Sequence, residues 1–203
     1  MPLMSKAIII FVRNPEKGKV KTRLAATVGE DKALEIYLQL LEHTAAITKG
    51  LPDISRYVFY SNAIGYNDPW NDGAYYKMIQ EEGDLGRKMY AAFEKVFSSG
   101  HTQVLIIGSD CPGLTTEGLI SAFESLSRHD VVIGPANDGG YYLLGLKELR
   151  EDFFLNKEWS TNSVYKATLE DIRALRLSCC CLPELVDVDT EEDWNLANGI
   201  VRQ

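Results

Sequence analysis

Two stretches of the chain limit its architecture more than any others. Lys6-Ala-Ile-Ile-Ile-Phe-Val12 and Val104-Leu-Ile-Ile-Gly108 are continuous apolar runs rich in β-branched residues, with no polar alternation. A strand with one wet face alternates, so an unbroken run marks a strand covered on both faces, as in the middle of a parallel sheet. Such a sheet needs helices on both sides, and the rest of the sequence supplies them. Lys32 to Lys49 carries a helical apolar stripe ended by Gly50 and Pro52, and Leu85 to Ser98 follows an Asp84 cap with Gly100 just past its end. Thr115 or Thr116 caps a helix to about Ser127, Asn162 to Ala174 has a helical pattern, and Thr190-Glu-Glu-Asp193 is a capping box opening a last helix. Arg56 to Ser61, Tyr76 to Gln80, Val131 to Gly134, Tyr141 to Leu146 and Leu175 to Leu182 are expected to be extended. This alternation implies an α/β fold, a three-layer sandwich on a mainly parallel sheet. With no repeat, low-complexity tract or Pro/Ser linker, residues 1–203 are expected to form a single domain.

Composition removes several classes of function. The longest apolar run, Ala7 to Val12, is far short of the roughly 18 residues of a membrane span, and a basic loop follows Met1 to Lys6 too soon for a signal peptide. A cytoplasmic address is the expectation. Cys111 stands alone and Cys179, Cys180 and Cys181 are consecutive, so their side chains alternate between faces and offer neither a disulfide framework nor a spaced zinc site. They are expected to be reduced and mostly packed. A net charge of −8 argues against a nucleic-acid partner. The exception is local: Arg13, Lys17, Lys19, Lys21 and Arg23 stand against one acid, Glu16, which suggests an anion site on an acidic body.

Ligands of such sheets sit beyond the carboxyl ends of the strands, which directs attention to three loops. Arg13-Asn-Pro-Glu-Lys-Gly-Lys-Val-Lys-Thr-Arg-Leu24 follows the first strand, and its cations could neutralise phosphate. It has too few glycines for a Walker A or GxGxxG motif. Gly108-Ser-Asp-Cys-Pro-Gly113 carries Asp110 out of a buried strand, where it could bind a hard cation or only shape a turn. Asp187 and Asp189 emerge together before the last helix, as ligands or as local caps. Asn137-Asp138-Gly139-Gly140-Tyr141 joins two strands as a ligand loop or a tight turn, and Trp159-Ser160-Thr161 is either a ring platform or a packed aromatic before a cap. No histidine lies in these loops and no G-x-S-x-G elbow occurs, which leaves a hydrolase triad without material.

Taken in order, K-G-x-x-K-T-R-L, G-S-D-C-P, P-A-N-D-G-G-Y-Y-L-L-G-L, W-S-T and D-V-D-T-x-x-D resemble the DUF2064 group of the nucleotide-diphospho-sugar transferase superfamily, across essentially the whole chain. The group is similar to 2-phospholactate guanylyltransferase and sugar-phosphate nucleotidylyltransferases. The resemblance implies a GT-A fold, a three-layer Rossmann-like sandwich with a mainly parallel mixed sheet, and a transferase using a nucleoside-diphosphate sugar or a nucleoside triphosphate, a small-molecule acceptor and Mg²⁺ or Mn²⁺. It implies phosphate contacts from Arg13, Lys21 and Arg23 and base recognition by Gln80 and Gly83. It places an acceptor or sugar pocket at Asp138, Gly139, Gly140, Trp159, Ser160 and Thr161, and metal ligands at Asp110 and Asp189, with Asp187 as substitute. Lys21, Asp110 and Asp138 are then the catalytic candidates. Gly108-Ser-Asp110 stands where many glycosyltransferases have D-x-D, so a local two-carboxylate clamp is absent. The expected reaction is glycosyl transfer. Nucleotidyl transfer with release of pyrophosphate is the alternative, and a non-catalytic nucleotide-binding protein the third.

Overall fold

The computed structural model describes residues 5–70 and 73–201, without the side chains of 199–201. The strands are β1 (Lys6–Val12), β2 (Ile54–Tyr60), β3 (Tyr75–Ile79), β4 (Gln103–Ile107), β5 (Val131–Pro135), β6 (Tyr141–Leu146) and β7 (Cys179–Cys181). They form one sheet in the order β3-β2-β1-β4-β6-β5-β7. Only β6 runs against its neighbours β4 and β5, which makes the sheet mixed and mainly parallel.

The helices are α1 (Thr22–Val28), α2 (Glu30–Lys49), α3 (Leu85–Ser98), α4 (Thr116–Arg128), α5 (Val164–Ala174) and α6 (Glu191–Val201). Because strand side chains alternate, β1 feeds two cores. Ile8, Ile10 and Val12 pack under α2 and α4 with Tyr37, Leu41 and Phe123, while Ala7 and Ile9 face α3 and α5 with Phe93, Val96 and Ile172. The full burial of β1 from Ala7 to Ile10 and of β4 explains their unalternated sequences. A third, smaller core joins Leu24 of α1, Ile36 and Leu40 of α2, Ala197 of α6 and Val188 of the segment before α6.

Asp84 accepts the Arg87 N–H at 2.8 Å and Thr115 that of Gly118 at 3.0 Å, as the caps predict. The capping box is also present: Asp193 accepts from Thr190 N–H at 2.9 Å and donates its own N–H to the Thr190 hydroxyl at 3.3 Å. Two expectations need correction. The basic loop does not run free to Leu24, because its last residues begin α1. The extended segment from Leu175 shrinks to Cys179–Cys181, since Arg176 takes φ 55° and the chain turns before it can pair with β5. All four cysteines are free, with Cys111 buried and Cys181 exposed. Cys179 and Cys180 pack into opposite cores, as adjacent strand residues must. Among the described residues no helix is long and apolar enough to cross a membrane.

Candidate active site

The strand order reverses between β1 and β4. From β1 the chain moves outward to β2 and β3, then returns to place β4 on the other side of β1. Loops leaving two adjacent carboxyl ends in opposite directions open a crevice, the usual ligand position in such sheets. Here the loop after β1 meets the loop after β4.

The first loop is fastened where it leaves β1. Arg13 N–H donates to the Tyr37 hydroxyl at 2.8 Å, and that hydroxyl donates back to the Arg13 carbonyl at 3.0 Å. Asn14 staples the loop to the segment after β2, accepting from Asn62 N–H at 2.9 Å and donating to the Ala63 carbonyl at 2.7 Å. Sequence reading counted Tyr37 only as part of an apolar stripe and passed over Asn14. The polar tip of an aromatic in that stripe was the available signal for Tyr37.

Where the loop enters α1, Lys21 adopts left-handed φ 47°, ψ 47°, a strained choice for a residue with a Cβ. The side chain is 7% exposed, and its Nζ lies 2.9 Å from Asp110 Oδ2 and 3.8 Å from Asp189 Oδ1. Asp189 Oδ2 in turn receives Arg23 at 2.9 Å. The small third core makes this meeting possible: Leu24 and Val188 are fully buried in it, one three residues after Lys21, the other between Asp187 and Asp189. Val188 N–H also donates to the Asp110 carbonyl at 2.9 Å, tying the two acidic segments together. Gly108 leaves room for the folded-back Asp110 carboxylate, since a Cβ there would lie 2.8 Å from its Oδ1.

Electrostatics make this the most unusual spot in the fold. Burial alone would pull Lys21 down, but Asp110, Asp189 and Asp187 outweigh it and hold its ammonium above the ordinary lysine range. Asp110 resists its own burial because the Lys21 charge and hydrogen bond hold it below the usual carboxylate range. At Asp187 the balance tips the other way: burial, then the charges of Asp110 and Asp138, push it well above that range despite the Lys21 charge and a hydrogen bond from Cys111. Its Oδ1 is buried without a hydrogen-bond partner. Beside it, burial and then the charges of Asp187 and Asp110 raise the Cys111 thiol. Among the described residues no three His, Cys, Asp or Glu side chains already stand in a metal-holding arrangement.

The other predicted residues fall around this hub. Asp138 is exposed, accepts the Gly140 N–H at 2.8 Å, and its charge reaches Asp187. Gly139 has φ 88°, and a Cβ would meet the Asn162 carbonyl oxygen at 2.3 Å, so glycine lets the third loop lie on the segment carrying Trp159, Ser160 and Thr161. Ser160 and Thr161 are exposed. Trp159 is half-buried against Gly86 at the start of α3, which favours the packed reading of its ring. The Gln80 amide donates to the Val12 and Phe59 carbonyls at 3.3 and 3.0 Å, closing the ends of β1 and β2. Gly83 is exposed with φ 125°, one residue before the α3 cap. Of the remaining loop cations, Lys17 pairs with Asp31 and Lys19 with Glu16, both at 2.6 Å.

The fold and this crevice define the nucleotide-diphospho-sugar transferase class of α/β proteins. A structure of a candidate nucleotide-diphospho-sugar transferase from Desulfovibrio desulfuricans G20 is 36% identical, covering 95% of this chain and 86% of its own, with a TM-score of 0.87. The family described as uncharacterized protein conserved in bacteria (DUF2064) matches residues 44–161. The chain belongs to that family. Two more distant structures share the fold. A 4-diphosphocytidyl-2C-methyl-D-erythritol synthase from Anaerococcus prevotii is 12% identical over 98% of this chain and 96% of its own, with a TM-score of 0.64. Rv0371c from Mycobacterium tuberculosis, in complex with manganese, is 11% identical over 95% and 98%, with a TM-score of 0.57. No curated protein sequence matches the chain.

Proposed function

We propose that the chain is an enzyme that transfers a glycosyl group from a nucleoside-diphosphate sugar to a small-molecule acceptor. The observation that carries the reading is the Lys21 hub: a strained, nearly buried ammonium held charged beside Asp110 at the reversal of strand order. The donor's phosphates lie over the ends of β1 and β4, where Lys21, Arg13 and Arg23 neutralise them. Gln80 spends its amide nitrogen on two strand carbonyls and keeps its oxygen to accept from the base, beside Gly83. Asp138, oriented by the Gly140 N–H, takes the proton of the acceptor hydroxyl as that oxygen bonds to the anomeric carbon and the bond to the diphosphate breaks. Gly139, Gly140, Ser160 and Thr161 form the polar wall of the acceptor pocket, with Trp159 behind it.

The donor set suits a hard divalent cation. Asp110, Asp189 and Asp187 offer only oxygen, and the buried Oδ1 of Asp187 has no hydrogen-bond partner to satisfy it. These three would hold Mg²⁺ or Mn²⁺, which when bound supplies positive charge for the leaving diphosphate. Four free cysteines fit a reducing, cytoplasmic setting.

A second reading, nucleotidyl transfer with pyrophosphate release, is favoured by the five cations between Arg13 and Arg23. Glycosyl transfer stands first because the 36% identical structure is described as a candidate nucleotide-diphospho-sugar transferase. A thermal-shift panel of nucleoside-diphosphate sugars and nucleoside triphosphates, each with and without Mg²⁺ or Mn²⁺, separates the readings. Metal-dependent stabilisation by one diphosphate sugar is the expected result. A response to triphosphates alone would replace it with the second reading, and silence across the panel would leave a protein that does not use nucleotides.

A further inference from the structure

The acid cluster of the crevice is already occupied by the chain's own cations. Asp110 Oδ2 holds Lys21 at 2.9 Å, Asp189 Oδ1 lies 3.8 Å from the same ammonium, and Asp189 Oδ2 holds Arg23. A divalent cation entering this cluster would sit beside a lysine with 7% exposure, whose charge water can hardly screen. Lys21 can yield only if another anion receives it, since an unpaired buried ammonium is costly. The phosphates of the donor are that anion, on the reading proposed above.

We infer that Lys21 is a specificity-determining residue that admits a divalent cation only together with a phosphate-bearing ligand, so that the site takes the metal-complexed donor and discriminates against the free ion. Asp110 exchanges Lys21 for the entering cation, and Lys21 moves onto the phosphate. By linkage the coupling is mutual: phosphate tightens the metal as much as metal tightens phosphate. Arg23, 74% exposed, guards Asp189 in the same way but weakly, because solvent accommodates it once released.

Mn²⁺ alone, titrated into the full chain and followed by the loss of its free paramagnetic resonance signal, tests this without any turnover. Wild type is expected to bind Mn²⁺ weakly, and Lys21→Met about tenfold more tightly or better, within the usual range of coupling between sites. Arg23→Gln, a surface change that leaves the cores intact, is expected to tighten Mn²⁺ a few-fold and covers the case in which Lys21→Met does not fold. In equilibrium dialysis of labelled pyrophosphate, Mn²⁺ should raise retention by wild type by a larger factor than by Lys21→Met, where only the direct attraction of metal for phosphate remains. Equal Mn²⁺ affinity in wild type and both variants, with pyrophosphate retention raised by Mn²⁺ by the same factor in each, would overturn the inference and leave the proposed reaction standing. Absence of Mn²⁺ and pyrophosphate binding in every variant would overturn both.

Discussion

Two lysines of this protein are almost hidden from solvent, and they do different work. Lys157, with 3% of its side chain exposed, bonds Asp171 of α5 and fastens the segment after a short 3₁₀ turn (Glu151–Phe153) to that helix. Its partner is one carboxylate. Lys21, with 7% exposed, faces the fields of three carboxylates, sits on strained backbone and adjoins a buried oxygen without a partner. Buried ion pairs as such are weak evidence of function, because either kind satisfies the charge of its lysine. The difference lies in what is left over. Around Lys21 the fold keeps excess negative charge and strain at a topological switch point, and a fold tolerates such costs where a ligand relieves them.

Substitution can break this contrast, and the largest effect belongs to the hub. Asp110→Asn should lower turnover of the nucleotide that stabilises the protein by about 100-fold or more, and it should also lower the melting temperature by several degrees, because the nearly buried Lys21 loses its nearest carboxylate. Unchanged turnover would make the hub another fastener. Lys157→Met should affect stability alone, with catalytic constants retained and a loss of about 1–3 kcal/mol, moderated by the partial exposure of Asp171. Calorimetric unfolding would register it as a drop of roughly 3–10 °C.

Asp187 sharpens the contrast through pH. Its folded pKa is raised, so the native state retains a proton that the unfolded chain gives up near pH 4. Stability therefore declines as pH rises from there through the raised folded value, and the full cost is present above it. Asp187→Asn should remove that decline, leaving wild type and variant alike below about pH 4 and the variant more stable by a few degrees near pH 8. Melting curves across that range check it, and parallel curves would mean that Asp187 is not strained by its surroundings. The smallest change is expected from Arg23→Gln, whose exposed ion pair should contribute less than about 0.5 kcal/mol to stability.

Local physics made much of this legible in the sequence. β1 and β6 begin and end where their patterns place them, and α3 follows its Asp84 cap, because each is decided by residues within a few positions. The short α1 was hidden inside the basic loop, since seven residues opened by a left-handed lysine leave no amphipathic stripe to recognise. β7 was overextended because an exposed turn at Arg176 has no strong breaker in the sequence. At the site, the loops and their acids could be singled out one by one. The hub could not, because Lys21 and Asp110 are 89 positions apart and Arg23 and Asp189 are 166 apart. Whether five cations remain free for phosphate or are shared with acids depends on those distant pairings. The same holds for Tyr37 and Asn14, whose bonds across the loops carry no local signature.

The account stands on nucleotide phosphates binding at Lys21, over the ends of β1 and β4. Isothermal titration of the stabilising nucleotide, with Mn²⁺ present, into wild type and Lys21→Ala tests that most directly. A dissociation constant raised about tenfold or more in the variant, with its fold intact, is the expected result for loss of a charge-assisted phosphate contact. An unaltered constant would contradict the account and place the nucleotide elsewhere on the molecule.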